Sequence, residues 1–315
     1  MISRALEAWD YFWFPSGPPH ALAVVRIALG LCSIIFWLRF LFDVELLFSG
    51  DGLYAPRAPL PEEGVQSLKD FLGLFLGNPS DLQAWVCYLL MLVTLLGFTA
   101  GLWFRLSTSL YMALFVYHYF IFGYANYGSY DKTLLILTLL LWISPCSQVW
   151  SLDASMSELV GQDPPETVSL WTQRLICVQL SIWYFGTGVY KLLSDAWSGG
   201  EVLYHSLIGV WGTPVAFWIA GLGFPMWFWD IVVMGVIWFE ILAGFLLFSR
   251  RFQVPVMVFA ALFHFMNGVL FNIWQFLFFP IIYILYFPPE EVKEWIESRL
   301  GLVTNNPTAP EQAPE

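Results

Sequence analysis

The sequence predicts an all-α fold, a polytopic transmembrane helical bundle of about eight spans, range about seven to nine. Three observations carry that prediction. Hydrophobic residues make up 58% of the 315 positions and charged residues only 12%, about half the usual share. Mean hydropathy is +0.67, and 17 Trp, 14 Tyr and 29 Phe are more apolar surface than a soluble core of this size can hide. Apolar runs near 20 residues recur, the length that crosses a hydrocarbon core about 30 Å thick.

Residues 1–20 form an N-terminal segment that is aromatic and broken by Pro15, Pro18 and Pro19. It lacks the charged, apolar and cleavage regions of a signal peptide and is expected at the cytoplasmic interface. Residues 21–290 form the membrane domain. Its spans are expected at Ala21–Phe42, Ala84–Phe104, Thr108–Tyr124, Thr133–Val149, Leu170–Leu192, Trp229–Phe248, Val254–Leu270 and Ile273–Phe287. A further run, Leu203–Ala220, is interrupted by Gly209, Gly212 and Pro214 and reads as re-entrant or interfacial. Residues 291–315 read as a short helix and a disordered cytoplasmic tail.

Charges set the expected orientation. With a cytoplasmic N-terminus, Arg4, Arg105, Arg174, Arg250, Arg251, Lys293 and Arg299 fall inside, against Arg57, Lys69, Lys132 and Lys191 outside. That satisfies the positive-inside rule and puts both termini in the cytoplasm. The longest loop, Asp43–Gln83, with Pro56, Pro59, Pro61, Glu62 and Glu63, is then extracytoplasmic. The expected surroundings are a lipid bilayer. A net charge of −11, from 24 acidic and 13 basic residues, excludes nucleic acid as a partner. Cys32, Cys87, Cys146 and Cys177 show no paired spacing and read as small hydrophobes. Four scattered histidines give no metal-ligand spacing, so no metal is expected. HExxH, Walker A, GxSxG and CxxC patterns are absent from the sequence.

Ionisable groups inside apolar runs are expensive and mark candidate sites. Arg26 lies early in the first span and Glu240 about halfway along its own. They can pair, either at a site or as a structural link between helices. Arg39 is placed to snorkel. His118 reads chiefly as a hydrogen-bonded core histidine. His264 and Asn267 are three residues apart on one helical face, with Asn272 and Gln275 following. They read as cavity-lining groups or as interhelical hydrogen-bonding glue. Lys191 stands among Tyr184, Phe185 and Tyr190 near a helix end. It is either a partly desolvated base or a snorkelling surface lysine.

Phe263-His264-Phe265-Met266-Asn267-Gly268-Val269-Leu270-Phe271-Asn272-Ile273 resembles the H-x-M-N-x-x-L-F-x-I stretch of vitamin K-dependent gamma-carboxylases. Leu242-Ala243-Gly244-Phe245-Leu246-Leu247-Phe248 resembles their A-G-F-L-L-F run, with Glu240 near an acidic position. Gly188-Val189-Tyr190-Lys191-Leu192, with Asp195 and Trp197, resembles G-V-K-K-L-D-A-D-W, with Tyr190 replacing the first lysine. Arg26 and Asp51-Gly52-Leu53 resemble the wider HTTM membrane-domain family, and the likeness spans most of residues 20–290.

The resemblance implies a cofactor, vitamin K hydroquinone or a similar lipophilic quinone. It implies Lys191 as catalytic base. Glu240, His264, Asn267 and Asn272 would support the pocket, with Arg26 holding Glu240. In the family, the base generated from the hydroquinone and oxygen removes a γ-proton from glutamate, and CO2 adds. A peptide or protein substrate is thereby implied. Two departures stand out. Asn126-Tyr127-Gly128-Ser129-Tyr130 places Gly128 where the carboxylases' N-H-S-Y has histidine. The chain also runs little beyond the membrane portion, without the large lumenal domain that holds the protein substrate, which leaves open whether a separate soluble partner chain supplies it. Two functions follow: a quinone-dependent carboxylase-like or redox enzyme, or a non-catalytic membrane protein in peptide export, maturation or immunity.

Overall fold

The computed structural model describes residues 2–53, 79–122 and 129–301. Most of Asp43–Gln83, residues 126–128 and the tail after 301, all discussed above, lie outside the described residues. Within them the architecture is helical. The exception is a two-residue antiparallel bridge of Ser16–Gly17 with Val168–Ser169.

Helix α1, Ile2–Trp13, packs against the start of α8, Trp171–Leu193. Helix α2 spans His20–Leu38 and α3 spans Val44–Phe48. Helices α4, Asp81–Ala100, and α5, Phe104–Phe122, form a tight pair. Ser80 caps α4, its hydroxyl accepting from Gln83 N, and Gly101 ends it at φ 67°, a left-handed conformation cheap only for glycine. Helices α6, Ser129–Ile143, and α7, Leu152–Leu159, lead to α8. Then follow α9, Glu201–Ile208, α10, Pro214–Ala220, α11, Met226–Leu246, and α12, Gln253–Phe271. The chain closes with α13, Phe279–Ile282, between two 3-10 turns, and α14, Pro289–Leu300, which packs on α2.

Four of these helices, α2, α4, α11 and α12, are long and apolar enough to cross a membrane. Their surfaces are turned inside out. Ile35, Val93, Phe245 and Leu262 are more than half exposed, an arrangement stable only where hydrocarbon is the solvent. Helices α5 and α8 match expected spans in place and have 19 and 23 residues. They carry more polar residues than the other four.

Two segments depart from a straight spanning helix. Within Ile273–Phe287 the chain forms one short apolar helix, Trp274–Tyr286, wound as 3-10 at Trp274–Phe278 and Tyr283–Tyr286 on either side of α13. Asn272, at φ 58°, turns the chain out of α12, and Pro280 cannot donate a helical hydrogen bond. The Leu203–Ala220 run breaks into α9 and α10 at the residues expected to interrupt it. Thr213 caps α10 and ties it to α12, through N to Leu270 O (3.0 Å) and Oγ1 to Val269 O (2.7 Å).

The pair that positions the central cavity is α8 with α11. Glycines let their backbones touch. A Cβ on Gly188 would lie 2.8 Å from Ile241 N, and one on Gly244 would lie 2.8 Å from Ser181 O. Small residues at helix contacts are the usual device where no hydrophobic force drives helices together.

Candidate functional site

Along α8, Gln173, Cys177, Ser181, Tyr184, Gly188 and Lys191 recur at steps of three or four residues, so one face of the helix carries a polar seam. The seam is hydrogen-bonded for most of its length. Gln173 Nε2 donates to Leu285 O at 2.7 Å. Tyr286 OH donates to Cys177 O at 2.7 Å and meets Ser181 Oγ at 2.9 Å. Tyr184 OH lies 2.5 Å from Tyr283 OH and 2.6 Å from His264 Nε2.

At the end of the seam, Lys191 Nζ donates to both Glu240 oxygens at 2.7 Å. The side chains are 16% and 6% exposed, so the pair is largely withdrawn from solvent. Lys191 does not snorkel outward. Helix α9 and Trp211 roof this end of α8, and the Trp197 ring lies 4.8 Å below the ammonium. The close α8–α11 packing at Gly188 brings Glu240 across. A carboxylate midway along an apolar helix needs such a partner.

These groups line a cavity of about 390 Å³. Its walls are aromatic: Trp183, Trp197, Trp211, Phe263, Phe271, Phe276 and Phe279. Polar groups reach it from Lys191, Glu240, Tyr184, His264, Asn267, Thr187, Ser206 and Ser129. The His264 ring stacks on Phe279 at 4.9 Å and 7°, which fixes its plane. Its Nε2 is bound to Tyr184, while Nδ1 is buried without a partner among the described residues.

Of the residues singled out in the sequence, the structure gathers Lys191, Glu240, His264 and Asn267 on this cavity. Three others stand elsewhere. Arg26 does not hold Glu240. Its Nη1 donates to Cys146 O at 3.0 Å and its Nη2 to Trp150 O, with the side chain fully buried. It clasps α2 to the turn before α7, and a Cβ on Gly101 would lie 2.7 Å from Nη1. The reason is packing: α2 lies against α4, where Gly30 faces Thr99, and Lys191 already occupies the Glu240 carboxylate. Asn272 ends α12 and lines a neighbouring cavity instead. His118 is a core residue, its Nδ1 2.7 Å from Leu114 O and its ring between Trp37 and Phe48. Tyr184, Tyr283 and Tyr286 were not singled out as site residues. Tyrosine within an apolar run reads as core, and the usable signal was the three-and-four spacing from Lys191 back to Ser181.

Among the described residues, no group of three or more His, Cys, Asp or Glu side chains is placed to hold a metal ion. No solved structure matches the chain. The HTTM domain matches residues 70–291, more than half of the chain and every residue of the Lys191 cavity. With its outward-facing apolar helices, the chain is an integral membrane protein, and it belongs to the HTTM domain family.

Proposed function

We propose that the protein binds a lipophilic quinone-like ring in the Lys191 cavity and acts on it as a membrane enzyme, with Lys191 as base. The observation that carries this reading is the Lys191–Glu240 pair set into an aromatic-walled cavity. A volume of about 390 Å³ falls within the range of about 300–1,000 Å³ for small-molecule sites. The walls suit a flat apolar ring. Lys191 Nζ and the Asn267 amide supply donors, and Tyr184 with His264 supplies a second polar edge. When bound, a quinol contributes a redox-active ring with an ionisable hydroxyl.

The chain's own residues must then manage a proton. Lys191 is a base only after Nζ has given up one of its three protons. Glu240, 2.7 Å away through both oxygens, is placed to take it, leaving an amine and a carboxylic acid. The Trp197 ring and the α9–α10 segment cover the pair, leaving its side chains 16% and 6% exposed, and that withdrawal from water strengthens their charge interaction. The resemblance to the gamma-carboxylases supports a carboxylase-like outcome. It extends the reading to a peptide or protein substrate. The lysine and arginine distribution supports a multi-pass chain with both termini cytoplasmic.

The same ion pair also favours a second reading, in which Lys191 and Glu240 only lock α8 to α11 in a non-catalytic partner for peptide maturation or export. Native mass spectrometry with added naphthoquinone separates the two. The wild type is compared with the paired variant Lys191→Met/Glu240→Met, which removes both charges together. The enzyme reading expects one quinone per wild-type chain and at least tenfold weaker retention in the variant. Folded wild type that retains no quinone overturns it.

A further inference from the structure

A second cavity, of about 450 Å³, lies behind the wall of the first. The Trp274–Phe278 turn separates them. Ile273, Phe276 and Phe279 face the Lys191 cavity, whereas Trp274, Gln275 and Phe278 face the second. The opposite wall is α2, from Cys32 to Phe36. That wall is apolar apart from Ser33, whose hydroxyl donates to Leu29 O, and Ile35 on it is 72% exposed, so the slot opens on the side where α2 meets hydrocarbon.

One end of the slot is polar. Arg39, the residue directly after α2, stands there with Tyr130, Asp131 and Asn272. The guanidinium lies 4.1 Å from the Phe36 ring centre and 4.4 Å from that of Phe40. Two aromatic rings fix its plane. Among the described residues it makes no salt bridge to a carboxylate. Asp131 faces the same cavity, is buried, and has interactions of its own. Gln275 Oε1 is buried there with no hydrogen-bond partner among the described residues. An unmet acceptor in a slot next to hydrocarbon is costly.

We infer that this slot binds one glycerophospholipid. An acyl chain lies along Cys32–Phe36, the phosphodiester accepts hydrogen bonds from Arg39, and a head-group hydroxyl or ammonium donates to Gln275. Arginine offers the planar fork that matches phosphate oxygens. The phosphodiester would share the slot with Asp131, its other charged group. A hydroxyl comes from phosphatidylglycerol and an ammonium from phosphatidylethanolamine, and the experiment tells them apart. The inference stands on the Arg39 cavity and is independent of Lys191 chemistry.

The test is native mass spectrometry of the delipidated full chain with phosphatidylglycerol, phosphatidylethanolamine or diacylglycerol added. One phospholipid per chain should survive at activation energies that strip the detergent, and diacylglycerol, lacking the phosphodiester, should not. The head group retained more strongly identifies the donor. Arg39→Leu should weaken retention at least tenfold, and Arg39→Lys should restore part of it. Arg39 is an exposed residue just beyond its helix, so both variants should fold. Equal retention in Arg39→Leu, or diacylglycerol held as firmly as phospholipid, overturns the inference.

Discussion

Lys191 and Glu240 meet through a bidentate contact of 2.7 Å to each carboxylate oxygen, across 49 residues of sequence. Lys191 lies two residues before the end of α8, while Glu240 lies well inside α11. Neither helix position alone favours a buried charge. Together they make one, and much of the site's behaviour follows from that dependence.

Breaking the pair from one side should be worse than removing it. Lys191→Met leaves Glu240 buried without its cation, at a cost of about 3–5 kcal/mol. Lys191→Met/Glu240→Met should recover most of that loss. Unfolding of the purified variants in mixed micelles measures both. A double variant no more stable than the single one would show that the charges are not energetically coupled.

Gly188 and Gly186 should respond oppositely to the same change. A Cβ at Gly188 would meet Ile241 Cγ1 at 2.7 Å, whereas at Gly186 nothing lies within 4 Å. Gly188→Ala should cost about 1–3 kcal/mol through overpacking and weaken quinone retention by moving Glu240. Gly186→Ala should be neutral, or stabilising by up to about 1 kcal/mol through helix propensity. Thermal melts of the two variants check the contrast.

Arg26 should matter for folding and not for the cavity. Arg26→Leu leaves the carbonyls of Cys146 and Trp150 without their donor, at about 1–3 kcal/mol for each buried acceptor left unpaired. The fraction that folds should retain quinone as the wild type does. Yield by size-exclusion chromatography, followed by ligand titration of the monodisperse peak, separates the two effects. Weaker ligand retention in folded Arg26→Leu would contradict the assigned role.

Tyr184 and His264 should be coupled. Tyr184→Phe removes the hydroxyl shared by His264 Nε2 and Tyr283, costing about 0.5–1.5 kcal/mol for each hydrogen bond lost. A double-mutant cycle with His264→Phe should give an interaction energy of about 0.5–3 kcal/mol. An additive cycle would mean that the 2.6 Å contact carries no energy.

Much of this architecture was legible in the residues. The runs at Ala84–Phe104, Trp229–Phe248 and Val254–Leu270 lie within a few residues of α4, α11 and α12, because twenty apolar residues in water-free surroundings have few alternatives to a helix. Gly209, Gly212 and Pro214 marked the break between α9 and α10. In Ile273–Phe287 composition marks an apolar segment but carries no record of its winding as 3-10 helix at both ends. The placement of Lys191, Glu240, His264 and Asn267 on one cavity was anticipated, but the partner of Glu240 was not. Pairing between helices depends on which faces pack, and periodicity within one helix does not encode it. Arg26 was the candidate cation for Glu240; the carbonyls of Cys146 and Trp150 hold it elsewhere, and the close contacts at Gly188 and Gly244 bring Lys191 to Glu240 instead.

The 49-residue separation of Lys191 and Glu240 also orders the protein's biogenesis. Lys191 leaves the ribosome first, at the end of its helix, where its long chain can reach water until a partner arrives. Glu240 has no such refuge. Inserted alone, its carboxylate would add roughly 3 kcal/mol to the cost of placing α11 in the bilayer. The lysine helix is therefore expected to act as a receiving partner within the nascent chain, in place before the glutamate helix enters. A substitution at Lys191 should show itself during synthesis, as α11 left outside the membrane, before any question of catalysis arises.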